Sequence, residues 1–215
     1  MIVTIDGPAG AGKSTVAKQL AARLGFQFLD TGAMYRAVAW AAQEASLDWD
    51  DAEAIADLAK RINIELKDDQ VFVDGHDVTQ AIRTPAVTAV TVHSASNPGV
   101  REHLVELQRE IASKADFVTE GRDQGSLVFP DAECKIFLTA SAEERAKRRV
   151  EDLHARGQEA TLEQVLRDQN LRDEQDSTRE VAPLVQPDDA VEVLTDGMSI
   201  DEVVDHLETL VRDRS

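Results

Sequence analysis

The chain has 215 residues, 42% of them apolar, and carries 23 basic against 41 acidic side chains for a net charge of −18. That length suits one compact α/β domain with insertions, and so acidic a surface repels nucleic acid and anionic membranes. No segment approaches the ~20 apolar residues of a membrane span, and the one cysteine, Cys134, excludes an internal disulfide, which fits a reducing cytoplasm.

Ile2-Val3-Thr4-Ile5 reads as a buried strand, and its early start leaves no room for a signal peptide ahead of it. Gly7-Pro8-Ala9-Gly10-Ala11-Gly12-Lys13-Ser14 follows, fitting G-x-x-x-x-G-K-S/T, the phosphate-binding loop. Its glycines let consecutive backbone N–H groups turn inward around phosphate oxygens. Lys13 adds a full charge near the β- and γ-phosphates, and Ser14 offers a hydroxyl to Mg²⁺. Ser14-Thr15 opens a helix, whose N-terminus favours anions. That helix runs to Leu24, with Val16, Leu20 and Leu24 at helical spacing and Gly25 as its stop.

Phe26 to Asp30 reads as a second strand, and Gly32 to Ala45 as a helix capped by Thr31. Thr31 and Arg36 thus stand at a strand's carboxyl end, where open α/β sheets bind ligands. A helix over 51–61 precedes a change of pattern. Over 62–80, short alternating runs separated by Asp68-Asp69 and Asp74-Gly75 predict antiparallel strands, the start of an inserted subdomain reaching about residue 95. Asn97-Pro98 introduces a helix over 100–114, and core strands are expected at 117–119 and 135–138. Glu120-Gly121-Arg122-Asp123 follows the first of these, pairing a guanidinium suited to phosphate with a carboxylate suited to amino or hydroxyl groups.

Ser141 opens a helix through Leu153, with Glu144 as its capping-box partner. Residues 155–180 are charged and poor in apolar anchors, so they are expected to be mobile. A strand over 190–194 and a helix over 199–211 close the chain. Eight basic residues fall between Ser141 and Arg179, where an even spread would place about four. Arg145, Arg148 and Arg149 share a helix face by spacing, and Arg156 extends it. In so acidic a protein, this concentration suggests that the substrate itself is the anion.

The ordered set Asp6 to Thr15, Asp30 to Arg36, Ile82 to Pro85, Pro98 to Arg101, Glu120 to Asp123, Val128 to Asp131, Lys135 to Ser141 and Val181 to Leu184 resembles the bacterial cytidylate kinases, over nearly the whole chain. The resemblance implies a P-loop NTPase-type α/β fold, a parallel sheet flanked by helices. The kinase core would comprise 1–61 and 96–215, with a helical lid at about 141–172 and an inserted CMP-binding subdomain at 62–95. It implies transfer of the γ-phosphoryl group of MgATP to CMP, and to dCMP. Gly7, Pro8, Ala9, Gly10, Ala11, Gly12, Lys13, Ser14 and Thr15 would bind ATP. Thr31, Arg36, Arg101, Arg122, Asp123, Arg172, Asp176 and Arg179 would bind CMP. Lys13, Arg122, Arg145 and Arg149 would act on the transferring group, and a cytoplasmic monomer is expected. The chain departs from the family pattern at Val92, Glu120, Gln124 and Gln175, of which Val92 bears on base recognition. Three alternatives stand beside this reading. A P-loop kinase for another nucleoside monophosphate or a small metabolite shares these motifs. A guanine-nucleotide switch needs N-K-x-D, and the nearest string, Asn170-Leu171-Arg172-Asp173, lacks the lysine. A nucleic-acid-dependent ATPase is opposed by the charge.

Overall fold

The computed structural model describes every residue except Asp68, Arg156 and Ser215. In chain order the elements are β1 (Ile2–Asp6), α1 (Lys13–Leu24), β2 (Gln27–Asp30), α2 (Thr31–Glu44), α3 (Ala52–Arg61), β3 (Ile64–Lys67), β4 (Gln70–Val73), β5 (His76–Asp77), α4 (Pro85–Ser96), α5 (Pro98–Ala112), β6 (Phe117–Gly121), β7 (Cys134–Thr139), α6 (Ala142–Ala155), α7 (Leu162–Thr178), β8 (Val191–Leu194) and α8 (Ile200–Arg212). A π-helical turn covers Gln124–Val128. The chain forms two compact units, one of Met1–Phe28 with Ala115–Ser215, the other of Leu29–Lys114.

In the first unit the strands lie in the order β2-β6-β1-β7-β8. β1 pairs parallel with β6 and β7, and β7 with β8. Strands enclosed on both sides need apolar runs, and Val3 and Ile5 of β1, Val118 of β6 and Ile136 and Leu138 of β7 are fully buried or nearly so. Helices α1 and α8 pack together over the same core. α1 contributes Val16, Ala17, Leu20 and Ala21, and α8 contributes Val203, Val204, Leu207 and Val211. The valines and leucines among these contribute about 1.5–3 kcal/mol each relative to exposure. Gly25 ends α1 in the left-handed conformation, and Ser199 with Glu202 forms the capping box that starts α8.

In the second unit α2 packs on α4 and α3 on α5. Ala33, Met34, Ala37, Val38 and Ala42 of α2 are fully buried, and the alanines let the helices approach closely. β3, β4 and β5 form the antiparallel sheet expected from the alternating pattern, with Ile64 opposite Val73 and Phe72 opposite Asp77. Residues 62–95, the expected insertion, lie within this unit. Asp68 of the predicted turn lies outside the described residues.

Several boundaries differ from expectation. α2 is capped by Asp30, whose carboxylate accepts the Ala33 N–H at 2.9 Å, and Thr31 is already helical. A carboxylate there also suits the positive end of the helix dipole. At α6 only half of the expected capping box forms. Glu144 N–H donates to Ser141 Oγ at 3.3 Å, but Ser141 N–H goes to Asp196 at 2.9 Å and the Glu144 carboxylate to Arg148. α5 begins at Pro98, because the Asn97 side chain accepts from Gly99 and Val100. α4 was not anticipated, although Thr84 caps it and Pro85 opens it. The largest difference is α7, a 17-residue helix that runs to Thr178, past the expected lid boundary at about 172, started by a Thr161–Gln164 capping box and packed on α6. Among the described residues, no helix is long and apolar enough to cross a membrane.

Gly7 has φ 148°, and a Cβ there would lie 2.0 Å from the Leu138 carbonyl oxygen. Neither backbone can yield without disturbing the sheet. Gly7→Ala is therefore expected to lower unfolding free energy by about 2 kcal/mol or more in urea denaturation.

Candidate active site

The loop between β1 and α1 takes its shape from residues that tolerate left-handed backbone, Gly10 at φ 78° and Gly12 at φ 85°. Gly10 has a second reason to be glycine, since a Cβ would lie 2.5 Å from Gln169 Nε2. Lys13, the first residue of α1, is 5% exposed and donates to the Pro8 carbonyl at 2.7 Å, folding back along the loop. Burial, aided by the nearby Arg122 charge and opposed by Glu120, lowers its pKa to about 7. The ammonium is thus short of negative charge, and a polyphosphate would supply it. Ser14 and Thr15 are exposed, and Ser14 Oγ donates to Glu120 Oε1 at 2.7 Å. This pair presents hard oxygen donors at the helix N-terminus.

At the end of β6, Arg122 Nε donates to Asp176 Oδ2 at 2.7 Å and Nη1 to the Gly121 carbonyl at 3.1 Å. Burial opposes the Arg122 charge, but Asp176 and Glu120 outweigh it and hold its pKa above the ordinary arginine value. Burial likewise raises the Asp176 pKa, and Arg122, Arg172 and Arg179 more than reverse this. These four residues therefore form one electrostatic group, with α7 and its C-terminus supplying three of them. Arg179 Nε donates to the Ala182 carbonyl, which fixes the turn after α7.

Asp6 and Asp123 are both buried. The Asp6 carboxylate accepts the N–H groups of Gln124 at 2.9 Å and Gly125 at 2.7 Å, tying the π-helical turn to β1. Burial outweighs these bonds and raises its pKa to about 6. Single π-helical turns are often found at functional sites, and this one immediately follows Arg122 and Asp123.

The arginines of the expected lid separate. Arg145 is buried and donates to the carbonyls of Ala140 and Ala9 and to Asp173. Arg148 turns to Glu144 and Thr195. Arg149 is exposed and makes no ion pair among the described residues. Arg156 lies outside the described residues. Equal spacing had suggested one cationic face, but neighbouring carboxylates sort these side chains into different roles.

In the second unit Thr31 is buried, and the half-buried Arg36 guanidinium lies against Gly32. Arg101 is 4% exposed, donates to the Ala95 carbonyl at 3.1 Å and rests on the Tyr35 ring at 5.2 Å. Val92 is 41% exposed and lines a hollow with Trp49 and His93, whose rings stack at 5.2 Å.

Sequence reasoning missed the roles of Asp6, Glu120, Gln169 and Asp173. Asp6 and Glu120 sat inside noticed motifs, but each meets its partner across the sheet. The last two sit on α7, whose sequence carries no helical apolar period to place them.

Residues 3–213 match the family model described as cytidylate kinase. The cytidylate kinase of Rhodopirellula baltica is 50% identical over 213 residues, covering 99% of this chain and 93% of that one. That of Geobacter sulfurreducens is 48% identical over 218 residues, covering 100% and 94%. A bifunctional pantoate ligase/cytidylate kinase of Synechococcus elongatus is 51% identical over 222 residues, and the chain spans 42% of its length. Among solved structures, a shikimate kinase from Bacteroides thetaiotaomicron has the same fold, with a TM-score of 0.51 at 13% identity over 99% of this chain and 98% of that one.

The Asp6 carboxyl carries a pH signature. Its folded pKa, about 6, lies above its ordinary 3.8, so the folded state holds the proton more tightly. Its contribution to stability is full below the lower value and fades as pH rises through the higher one. Stability relative to the non-titrating Asp6→Asn should therefore fall by about 3 kcal/mol between about pH 3 and pH 7, with about two thirds of the fall between pH 4 and pH 6. Urea denaturation across that window checks it; parallel pH profiles would return Asp6 to an ordinary pKa.

Proposed function

The chain belongs to the cytidylate kinase family, and we propose that it transfers the γ-phosphoryl group of ATP to CMP, giving ADP and CDP, with dCMP as a second acceptor. The observation that carries this reading is the phosphate loop with its buried, charge-deficient Lys13 beside the Arg122–Asp176 pair.

An oxygen of the CMP phosphate attacks the γ-phosphorus in line, and the bond to the bridging oxygen breaks, leaving its electron pair on ADP. The acceptor is anionic near neutral pH, so no strong general base is needed, and catalysis rests on positioning and charge neutralisation. The backbone of Gly7 to Thr15 cradles the ATP phosphates. Lys13, already short of negative charge, takes up its full proton as they arrive. Ser14 and Glu120 fit Mg²⁺ as a hard-oxygen pair 2.7 Å apart. When bound, Mg²⁺ would neutralise charge on the β- and γ-phosphates.

For the acceptor, Arg122, Arg172 and Arg179 supply positive charge, and Asp123 and Asp176 supply acceptors for amino or hydroxyl groups. Thr31, Arg36 and Arg101 are proposed as further CMP contacts through the family pattern. Among the described arginines of α6, Arg149 is the exposed one, suited to the transferring group. Arg145 is proposed to act through the loop it holds. Cys134, buried and without a disulfide, suits a reducing cytoplasm.

A steady-state assay of ATP with CMP, dCMP, UMP and AMP tests the reading. CMP should give the highest kcat/KM, and a preference for AMP would overturn it. Lys13→Ala should lower kcat by ~10²-fold or more while circular dichroism stays unchanged. Asp176→Ala should lower kcat/KM for CMP by ~10–10³-fold and leave the KM for ATP nearly constant, because it strands Arg122 without its partner.

A further inference from the structure

Ala9 has no side-chain chemistry, yet both of its backbone polar groups are held by side chains distant in sequence. Its N–H donates to Asp173 Oδ1 at 3.1 Å. Its carbonyl accepts from Arg145 Nη1 at 2.7 Å and from Gln169 Nε2 at 3.3 Å. Arg145 Nη1 also meets Asp173 Oδ2 at 2.7 Å, and Arg145 Nε donates to the Ala140 carbonyl at 3.1 Å. One carboxylate thus holds the loop directly with one oxygen, and orients the guanidinium that holds it from the other side. Gln169 and Asp173 are one turn apart on α7, so both reach the same peptide.

The loop needs such a brace. Glycines at positions 7, 10 and 12 let it adopt the phosphate-cradling shape, and the same freedom lets it leave that shape. A binding loop that must be ordered by its ligand binds more weakly than one already ordered. Holding Ala9 from the α7 side leaves the donors of Gly10 to Ser14 for the ligand. Lys13 cannot serve this purpose, because it is the group that must respond to phosphate.

We propose that Asp173 is a positioning residue for the donor nucleotide. It does not touch substrate; it holds the Ala9 peptide, and through it the phosphate cradle, with Arg145 as its partner. The inference rests on the kinase reading for its kinetic arm alone.

The test uses the full chain with Asp173→Ala and Asp173→Asn. Asp173→Ala should raise the KM for ATP roughly tenfold and leave the KM for CMP within about twofold. Hydrogen exchange over residues 7–14 should quicken while β6 and α8 stay as protected as in the wild type. Asp173→Asn keeps an acceptor for the Ala9 N–H and loses the charge facing Arg145, so it should fall between. If the alanine variant fails to fold, the asparagine variant decides on the same readouts. A raised KM for CMP with an unchanged KM for ATP would overturn the proposal and assign Asp173 to the acceptor side. Unchanged exchange over residues 7–14 in a folded variant would also overturn it. A wild-type chain that makes no CDP would remove the kinase reading instead, and the exchange arm, which needs no acceptor, would still decide this one.

Discussion

Positive charge held out of water, short of its counter-charge, is the constraint around which the first unit is arranged. Lys13 and Arg122 each disfavour the other's charge, and removing such groups from water costs several kcal/mol per ion. Asp6, Glu120 and Asp176 offset part of this, in unequal shares. Arg122 is fully served by Asp176 and stays charged. Lys13 is served less well, and its pKa falls to about 7. A ligand carrying several negative charges would complete the balance, so ligand recognition and the electrostatics of the loop are one problem.

The same constraint explains why so acidic a protein gathers arginines around this loop. Apart from the group that Arg122, Arg172 and Arg179 form around Asp176, they are individually assigned. Arg145 and Asp173 fix the backbone of Ala9, Arg148 joins α6 to the turn after β8 through Thr195, and Arg122 and Asp176 join β6 to α7. Helix α7 is only lightly buried, with Val165 and Gln169 as its buried residues. Its polar bonds to the loop and to Arg122 therefore carry much of its attachment. Such attachment is sensitive to the charge on what it touches, which apolar packing is not.

The second unit handles its cations differently. Arg101 buries its head against an aromatic ring and a backbone carbonyl, with the flat guanidinium on the face of Tyr35. Around it, α2 relies on alanines, so helix contacts there are set by close backbone approach. Val92 leaves an apolar group exposed beside the Trp49–His93 stack.

What the sequence determined on its own was local. The phosphate loop was legible because glycine, lysine and serine specify its conformation and chemistry within eight residues. The α/β alternation and the antiparallel segment were legible because side-chain periodicity follows from strand and helix geometry. The site was legible as far as its residues fell in such strings, as at Arg122, or in the family pattern, as at Asp176. Tertiary structure decided the rest. Asp6 meets the Gln124 N–H across 118 positions, and Asp173 meets Ala9 across 164. No local pattern specifies such partners. No apolar period marks α7, because its sequence offers few apolar anchors, and the bonds that compensate appear only once β1, β6 and β7 bring their carboxyl ends together. The arginines of α6 share one spacing and so look alike in sequence. Their different roles depend on which carboxylate or carbonyl the fold places within 3 Å or so of each.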